Sequence, residues 1–173
     1  LKGRKRKLVI ISLGAGVQSS TMALKAACGE FPRPDCAIFA DTGYEPKSVY
    51  NYLDYLKDIL PYPVHIVRKG NIKDDMLNSI DNGTRFPTAP FFTKNAETGK
   101  KGMLRRQCTN DYKIQPIRKK IRELCNVGYR KHFPKDQYVE QWIGISTDEV
   151  MRMKPARDKY IHNRHPLIEA KLS

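Results

Sequence analysis

Short apolar runs alternate with amphipathic segments along the first half of the chain. Buried strands are indicated by continuous apolar runs at 8–11 and 36–40, and a third strand by alternation at 64–67. Apolar residues at helical spacing follow each strand and predict helices at 22–27, 46–60 and 71–80. Three successive βα units predict a parallel sheet with helices on its faces, joined by right-handed crossovers.

The second half of the chain is less regular. Periodicity fails from 81 to 110, and an irregular insertion of this length in a compact domain is usually functional or disordered. We interpret it as a lid over a ligand site, with a mobile tip at 94–101. Helical spacing then predicts a basic helix marked by Ile114, Ile117, Ile121 and Leu124. A fourth strand is predicted at 138–145, and the tail at 154–173 is predicted to start a further strand or helix.

Length and composition indicate one soluble domain. The chain has 173 residues, of which 40% are hydrophobic, so we expect a single domain over 1–173 and not a disordered chain. No apolar run approaches the ~20 residues of a membrane helix, so no membrane partner is expected. The basic tail at 1–7 precedes too few apolar residues to be a secretion signal.

The cysteines lie far apart in the sequence and include no C-x-x-C pair: Cys28, Cys36, Cys108 and Cys125. Their spacing indicates neither a zinc knuckle nor an iron–sulfur cluster, although distant cysteines can still converge on a metal in the fold. Reduced thiols predict a cytoplasmic location.

The net charge of +14 is unevenly distributed. A basic face is predicted at the end of the insertion and on the helix after it, including Arg105, Arg106, Arg118, Lys119, Lys120 and Arg122. Such a charge attracts polyanions through counterion release, which makes nucleic acid a candidate partner. A large nucleotide substrate, or simply a solvated basic surface, would account for it as well. The oligomeric state is left open.

Small and hydroxyl-bearing residues follow the first predicted strand. They are predicted to bind a ligand: Ser12, Gly14, Ala15, Gly16, Gln18, Ser19 and Ser20. A strand, a small-residue turn and a helix N-terminus bring unpaired amides and the positive end of the helix dipole together, which favours phosphate. The segment fits neither the Walker loop nor the dinucleotide fingerprint, because it lacks Gly-Lys-Ser/Thr and a third glycine. An ordinary strand-to-helix turn is the alternative.

A second polar cluster, Asp41-Thr42-Gly43, follows the next predicted strand. Ligands in parallel α/β sheets gather at the carboxyl ends of strands, so these residues are predicted to face the same ligand. The alternative is that Asp41 only starts a turn.

The segment from Gly14 to Ser19 resembles the PP-loop of ATP pyrophosphatases, usually written SGGxDS, in the form found in the phosphoadenylylsulfate (PAPS) reductase-like branch. Gly16 and Ser19 match this motif. Gly14, Ala15 and Gln18 stand where the family has Ser, Gly and Asp. The backbone cradle is therefore retained, whereas a carboxylate near the phosphates is missing.

Two further segments resemble the same family. The family typically has Asp-Thr-Gly after a hydrophobic pair, as found here from Asp41 to Gly43. A family element with a cysteine, a basic residue and a proline is matched by Cys108, Lys113 and Pro116. The resemblance implies that this element borders the anionic end of the substrate, and neighbouring arginines would make the Cys108 thiol reactive. The alternative is that Cys108 is a plain small residue.

The last matching segment follows the fourth predicted strand. Gly144 and Ile145 match a Gly-Ile pair that is implied to lie against an adenine, while Ser146 replaces an arginine of the family. Asp148 and Glu149 match an acidic or polar pair. Such a pair either holds Mg²⁺ or orients a helix, and both interpretations stay open.

The resemblance implies a fold and an activity. The fold is α/β, a three-layer Rossmann-like parallel sheet with helices on both faces, adenine nucleotide alpha hydrolase-like, with a long irregular insertion at 81–110. The ATP-using members cleave between the α- and β-phosphates and transfer AMP to an oxygen. ATP or a related adenine nucleotide and Mg²⁺ are the implied cofactors, and catalytic roles are implied for Ser19, Asp41, Cys108 and Lys113.

Three functions are compatible with this resemblance. PAPS reduction needs the family's C-terminal Glu-Cys-Gly, and no cysteine follows Cys125. We therefore expect an ATP-dependent adenylylating enzyme in sulfur or nucleic-acid/base modification. A sulfonucleotide reductase and a catalytically lapsed binding module, favoured by Gln18, are the alternatives. Family members carry a further C-terminal part, which indicates a truncated or unusually short chain.

Overall fold

The computed structural model describes residues 6–83, 92–103, 108–128 and 130–173. In chain order its strands and α-helices are β1 (Arg6–Leu13), α1 (Val17–Ala27), β2 (Cys36–Asp41), α2 (Lys47–Ile59), β3 (Val64–Arg68), α3 (Ile72–Asn82), β4 (Phe92–Lys94), β5 (Lys101–Met103), α4 (Gln115–Leu124), β6 (Gln137–Ile143), β7 (Ile161–Arg164) and α5 (Pro166–Glu169). A π-helix, Thr109–Ile114, runs directly into α4, and a 3-10 helix, Thr147–Arg152, follows β6.

A five-stranded parallel sheet forms the centre of the protein. Its strand order is β3-β2-β1-β6-β7, so β1 lies in the middle. The apolar run predicted as the first strand is buried there because it has a strand on each side and a packed layer on each face. The predicted parallel α/β sheet is confirmed.

Hydrophobic clusters cover both faces of the sheet. Ile11 belongs to the cluster under α1, α2 and α5, whereas Ile10 belongs to the one under α4. Successive residues of a strand point to opposite faces, so neighbours in the sequence enter different layers. Trp142 of β6 is 1% exposed in the first cluster, and Ile121 of α4 is fully buried in the second. Helices therefore flank the sheet on both sides, as predicted.

The insertion contains structure that the sequence did not predict. β4 and β5 form an antiparallel hairpin, so the prediction of an irregular segment was wrong for 92–103. The hairpin turn is closed by Asn95, whose side chain accepts hydrogen bonds from Glu97 N at 2.9 Å and Thr98 N at 2.7 Å. Three-residue strands are too short to show a period, which explains the error. The predicted lid falls partly on 84–91 and 104–107, outside the described residues, and the mobile tip stays a prediction.

The basic helix differs from its prediction at its start. Ile117 and Ile121 face the sheet as expected, but Ile114 is 44% exposed. Ile114 is the last residue of the π-helix, whose wider turn takes it out of the apolar row of α4.

The tail forms β7 and α5, which confirms the prediction of a further strand or helix. Among the residues that the structure describes, no helix is long and apolar enough to cross a membrane.

Candidate functional site

The carboxyl ends of β1 and β6 form the centre of the candidate site. The chain leaves β1 through α1 towards β2 on one side, whereas β6 pairs with β1 on the other side. The strand order therefore reverses between β1 and β6. In open α/β sheets a crevice forms outside the strand ends at such a point and is the usual place for a ligand.

The loop after β1 turns sharply into α1. Ala15 has a φ of +52°, in the left-handed region, and Gly16 is the residue before the helix. The Ser19 hydroxyl closes the loop, because its Oγ accepts a hydrogen bond from Gly14 N at 3.1 Å and donates one to Gly16 O at 3.2 Å. No side chain caps the start of α1, so the first amides of the helix are left for water or an anion.

The loop after β6 lies directly against this turn. A Cβ atom on Gly144 would be 2.7 Å from Ser19 N and 2.9 Å from the carbonyl carbon of Gln18. Only glycine permits this approach without a shift of the backbone. The structure therefore brings together three predicted residues from the two ends of the sequence and places both loops against each other where the strand order reverses.

Two further serines that were predicted to bind a ligand, Ser20 and Ser12, lie near the turn. The Ser20 residue is 4% exposed, and its Oγ has no hydrogen-bond partner among the described residues. A buried hydroxyl without a partner is costly. The predicted contact of Ser20 with a ligand stays a prediction. Ser12 is half-buried near the end of β1, where it pairs in register with Ile38 of β2 and Ile143 of β6.

Asp148 and Glu149 lie in the 3-10 helix after β6, close to the same crevice. Ser146 Oγ donates a hydrogen bond to Asp148 Oδ1 at 2.5 Å, and Arg152 pairs with Glu149 at 2.5 Å. Gln18 Nε2 lies 3.4 Å from Glu149 Oε2, the same oxygen that pairs with Arg152. These contacts fit the helix-orienting interpretation of the acidic pair. No group of three or more His, Cys, Asp or Glu side chains suited to a metal lies in the described part, and the Mg²⁺ site stays a prediction.

Asp41 ends β2 as the centre of a hydrogen-bond network. Its carboxylate accepts from Gly43 N at 2.7 Å, from Tyr50 Oη at 2.8 Å and from Arg68 Nε at 2.8 Å, with a further bond to Arg68 Nη2. The Asp41 residue is only 2% exposed. All of these bonds hold the protein together, so Asp41 fixes the turn after β2. Its predicted contact with a ligand stays a prediction.

The electrostatics of this carboxylate favour its ionised form. Burial by itself would raise the pKa of Asp41, but the hydrogen bonds from Arg68, the Gly43 amide and Tyr50 outweigh it and hold the pKa below its usual value. Arg68 was missed from the sequence. It pairs in register with Asp41 across β2 and β3, and a basic residue ending the strand next to an acidic one was the available signal.

The turn after β2 is held tightly in place. Gly43 has a φ of +78°, and a Cβ atom there would lie 2.8 Å from the Asn71 Cα. Thr42 Oγ1 donates to Glu45 Oε1 at 2.9 Å. Lys113 Nζ lies 3.6 Å from the same Glu45 oxygen.

The contact between Lys113 and Glu45 links the element that was predicted to border the substrate to the carboxyl end of β2, because Lys113 belongs to the π-helix. Cys108 precedes the π-helix and is partly buried. The arginines predicted to activate its thiol, Arg105 and Arg106, lie outside the described residues.

Most of the described basic face is engaged within the protein. Arg118 pairs with Asp158, Lys120 pairs with Glu123 at 2.7 Å, and Arg122 donates to the carbonyls of Gly128 and Lys131. Lys119 is exposed. The charge available to a polyanion on α4 is therefore smaller than the sequence indicates.

Comparison with known proteins identifies no family for this chain. No protein-family model matches the chain, and no curated protein matches it significantly. The fold defines the class: a Rossmann-like α/β protein with a five-stranded parallel sheet flanked by helices.

Proposed function

We propose that the protein binds an adenine nucleotide in the crevice between the loops after β1 and β6, and that it is an ATP-dependent adenylylating enzyme. The approach of Gly144 to Ser19 N carries the proposal, because it joins the uncapped start of α1 to the end of β6 at the point where the strand order reverses. The resemblance to the PAPS reductase-like branch supplies the choice of nucleotide.

The residues around these loops offer hydrogen-bond donors to a triphosphate. The uncapped amides of α1 offer donors to phosphate oxygens, and the orphaned Ser20 hydroxyl offers another. In adenylyl transfer an acceptor oxygen forms a bond to the α-phosphorus, and the bond from that phosphorus to the oxygen bridging to the β-phosphate breaks. Pyrophosphate leaves with the electron pair, so donors fixed around its oxygens lower the barrier. The loop after β1 serves this purpose.

Glu149 supplies a carboxylate near Gln18, the position at which the PP-loop pattern has an acidic residue. Gln18 stands where the PP-loop pattern has an acidic residue, yet its side-chain nitrogen lies 3.4 Å from the Glu149 carboxylate. A carboxylate is therefore still present beside the loop, supplied from the other end of the chain. This supports an active enzyme over a lapsed binding module.

Mg²⁺ would neutralise the charge of the leaving pyrophosphate. Asp148 and Glu149 are the candidates to hold it, and few protein ligands are needed when the phosphates and water complete the coordination.

One set of incubations separates the three functions. We expect wild-type protein with ATP, Mg²⁺ and a panel of nucleic-acid, base and sulfur-compound acceptors to release pyrophosphate, and saturable ATP binding to be seen without an acceptor. Release of sulfite from PAPS with a thiol donor would establish the reductase instead. Nucleotide binding without either product would leave the binding module, and no binding of ATP or PAPS would overturn the proposal.

A further inference from the structure

A second cleft lies one strand beyond the proposed nucleotide crevice. It has a volume of about 550 Å³, within the range of small-molecule sites, and lies between edge strand β7 and the segment 153–159. Its polar lining residues are Lys154, Asp158, Lys159, His162, Asn163 and His165. None of these belongs to the nucleotide crevice, so the inference does not rest on the proposed function.

The walls of this cleft are fixed by contacts within the protein. Asn163 of β7 donates to the Lys154 carbonyl at 2.9 Å, which holds the facing segment beside the strand. Asp158 pairs with Arg118 of α4. These contacts hold the two walls together, and Asp158, the acidic residue in the described part of the lining, is already neutralised.

Two lysines give the cleft a positive charge. Lys154 and Lys159 are exposed, and neither has an ion-pair partner within the described ranges. Positive charges attract a dianion more strongly than a monoanion, and lysine is a common phosphate-binding residue.

A buried histidine supplies an independent sign of a ligand. His165 lines the cleft and is 7% exposed, and its Nδ1 has no hydrogen-bond partner in the described part of the chain. A buried ring nitrogen without a partner is costly, whether it carries the proton or not. A ligand oxygen in the cleft that accepts a hydrogen bond from Nδ1–H would satisfy this nitrogen.

We propose that this cleft binds a small phosphorylated organic molecule. The ammonium groups of Lys154 and Lys159 neutralise the phosphate, and His165 donates a hydrogen bond to it. The remaining volume takes the organic part of the ligand, which an inorganic ion alone would leave unfilled.

Phenyl phosphate and phenyl sulfate test this proposal, because they have nearly the same shape and differ in charge near neutral pH. NMR of the histidine rings would follow each titration in the wild-type protein. We expect phenyl phosphate to shift the His165 resonances saturably and phenyl sulfate to bind more weakly. Absence of a saturable shift at His165, or equal affinity for the two probes, would overturn the proposal.

Matched lysine pairs separate a specific site from general attraction. Lys154→Gln/Lys159→Gln should raise the Kd measured at His165 by about tenfold or more, which corresponds to about 1.4 kcal/mol. Lys47→Gln/Lys135→Gln removes the same charge from exposed positions outside the cleft and should change it less than about twofold. An equal rise in Kd for the two double variants would contradict the proposal.

Discussion

The backbone of Gly144 lies against the amide of Ser19 so closely that a Cβ atom at Gly144 would be 2.7 Å from that nitrogen. The contact joins the loop after β6 to the first turn of α1. It is the point at which two segments from opposite ends of the sequence become one candidate site.

Gly144→Ala is expected to weaken ATP binding by about tenfold or more and to cost about 1–3 kcal/mol of stability, because the new methyl group pushes the start of α1 away. Calorimetric titration and denaturant unfolding would measure the two effects. Gly128→Ala is the matched control, since among the described residues its Cβ would meet the Lys131 Cγ alone, at an ordinary 3.5 Å. Undiminished ATP affinity in Gly144→Ala would show that the nucleotide does not use this crevice.

Asp41→Asn should destabilise the protein in a pH-dependent way. The folded pKa of Asp41 lies below its usual value of about 3.9, so its contribution is present above that pH and is lost as the pH falls through the folded pKa. We expect a cost of about 1–3 kcal/mol near neutral pH and a smaller one at about pH 3, measured by urea unfolding.

Asp54→Asn is the control for that measurement. Asp54 forms a surface pair with Lys57 at 3.2 Å and its side chain is 71% exposed, so we expect a change of no more than about 0.5 kcal/mol. A cost for Asp41→Asn that stays constant with pH would contradict the assigned ionisation.

Ile121→Ala should cost about 2–5 kcal/mol, because Ile121 is fully buried between α4 and the sheet. Ile114→Ala in the preceding π-helix should cost less than about 1 kcal/mol, since Ile114 is 44% exposed. Equilibrium unfolding of both variants would measure the difference. Similar losses would mean that the apolar row continues through Ile114 and that the π-turn does not form.

Nucleic-acid binding, if carried by α4, should depend steeply on salt. Fluorescence anisotropy with DNA and tRNA should show that the logarithm of the association constant falls linearly with the logarithm of the salt concentration. Lys119→Gln should make this slope shallower by the amount expected for about one phosphate contact. Lys57→Gln on the opposite face of the sheet is the control. Weak binding that is insensitive to salt would remove nucleic acid from the candidate partners.

Much of the fold was predictable because burial leaves a local periodic trace. The apolar run of the first strand was evident because the strand is covered on both faces. The helix start at Asn71 was evident because asparagine is a common N-cap residue, and its side chain accepts hydrogen bonds from Lys73 N and Asp74 N. The loops at Gly14–Ser19 and Asp41–Gly43 were recognisable because small and polar residues directly follow buried strands. The hairpin of 92–103 left no such trace, because its strands have three residues each.

The sequence by itself determined the first three strands and helices, the strand β6 and the residues that follow these strand ends, because these depend on the spacing of apolar side chains. Only the tertiary structure decided that β6 pairs with β1, that Arg68 binds Asp41, and that Glu149 lies beside Gln18, 131 residues away. Strand order is set by the simultaneous packing of both sheet faces, which no local pattern records. The assembly of the candidate site follows from that order.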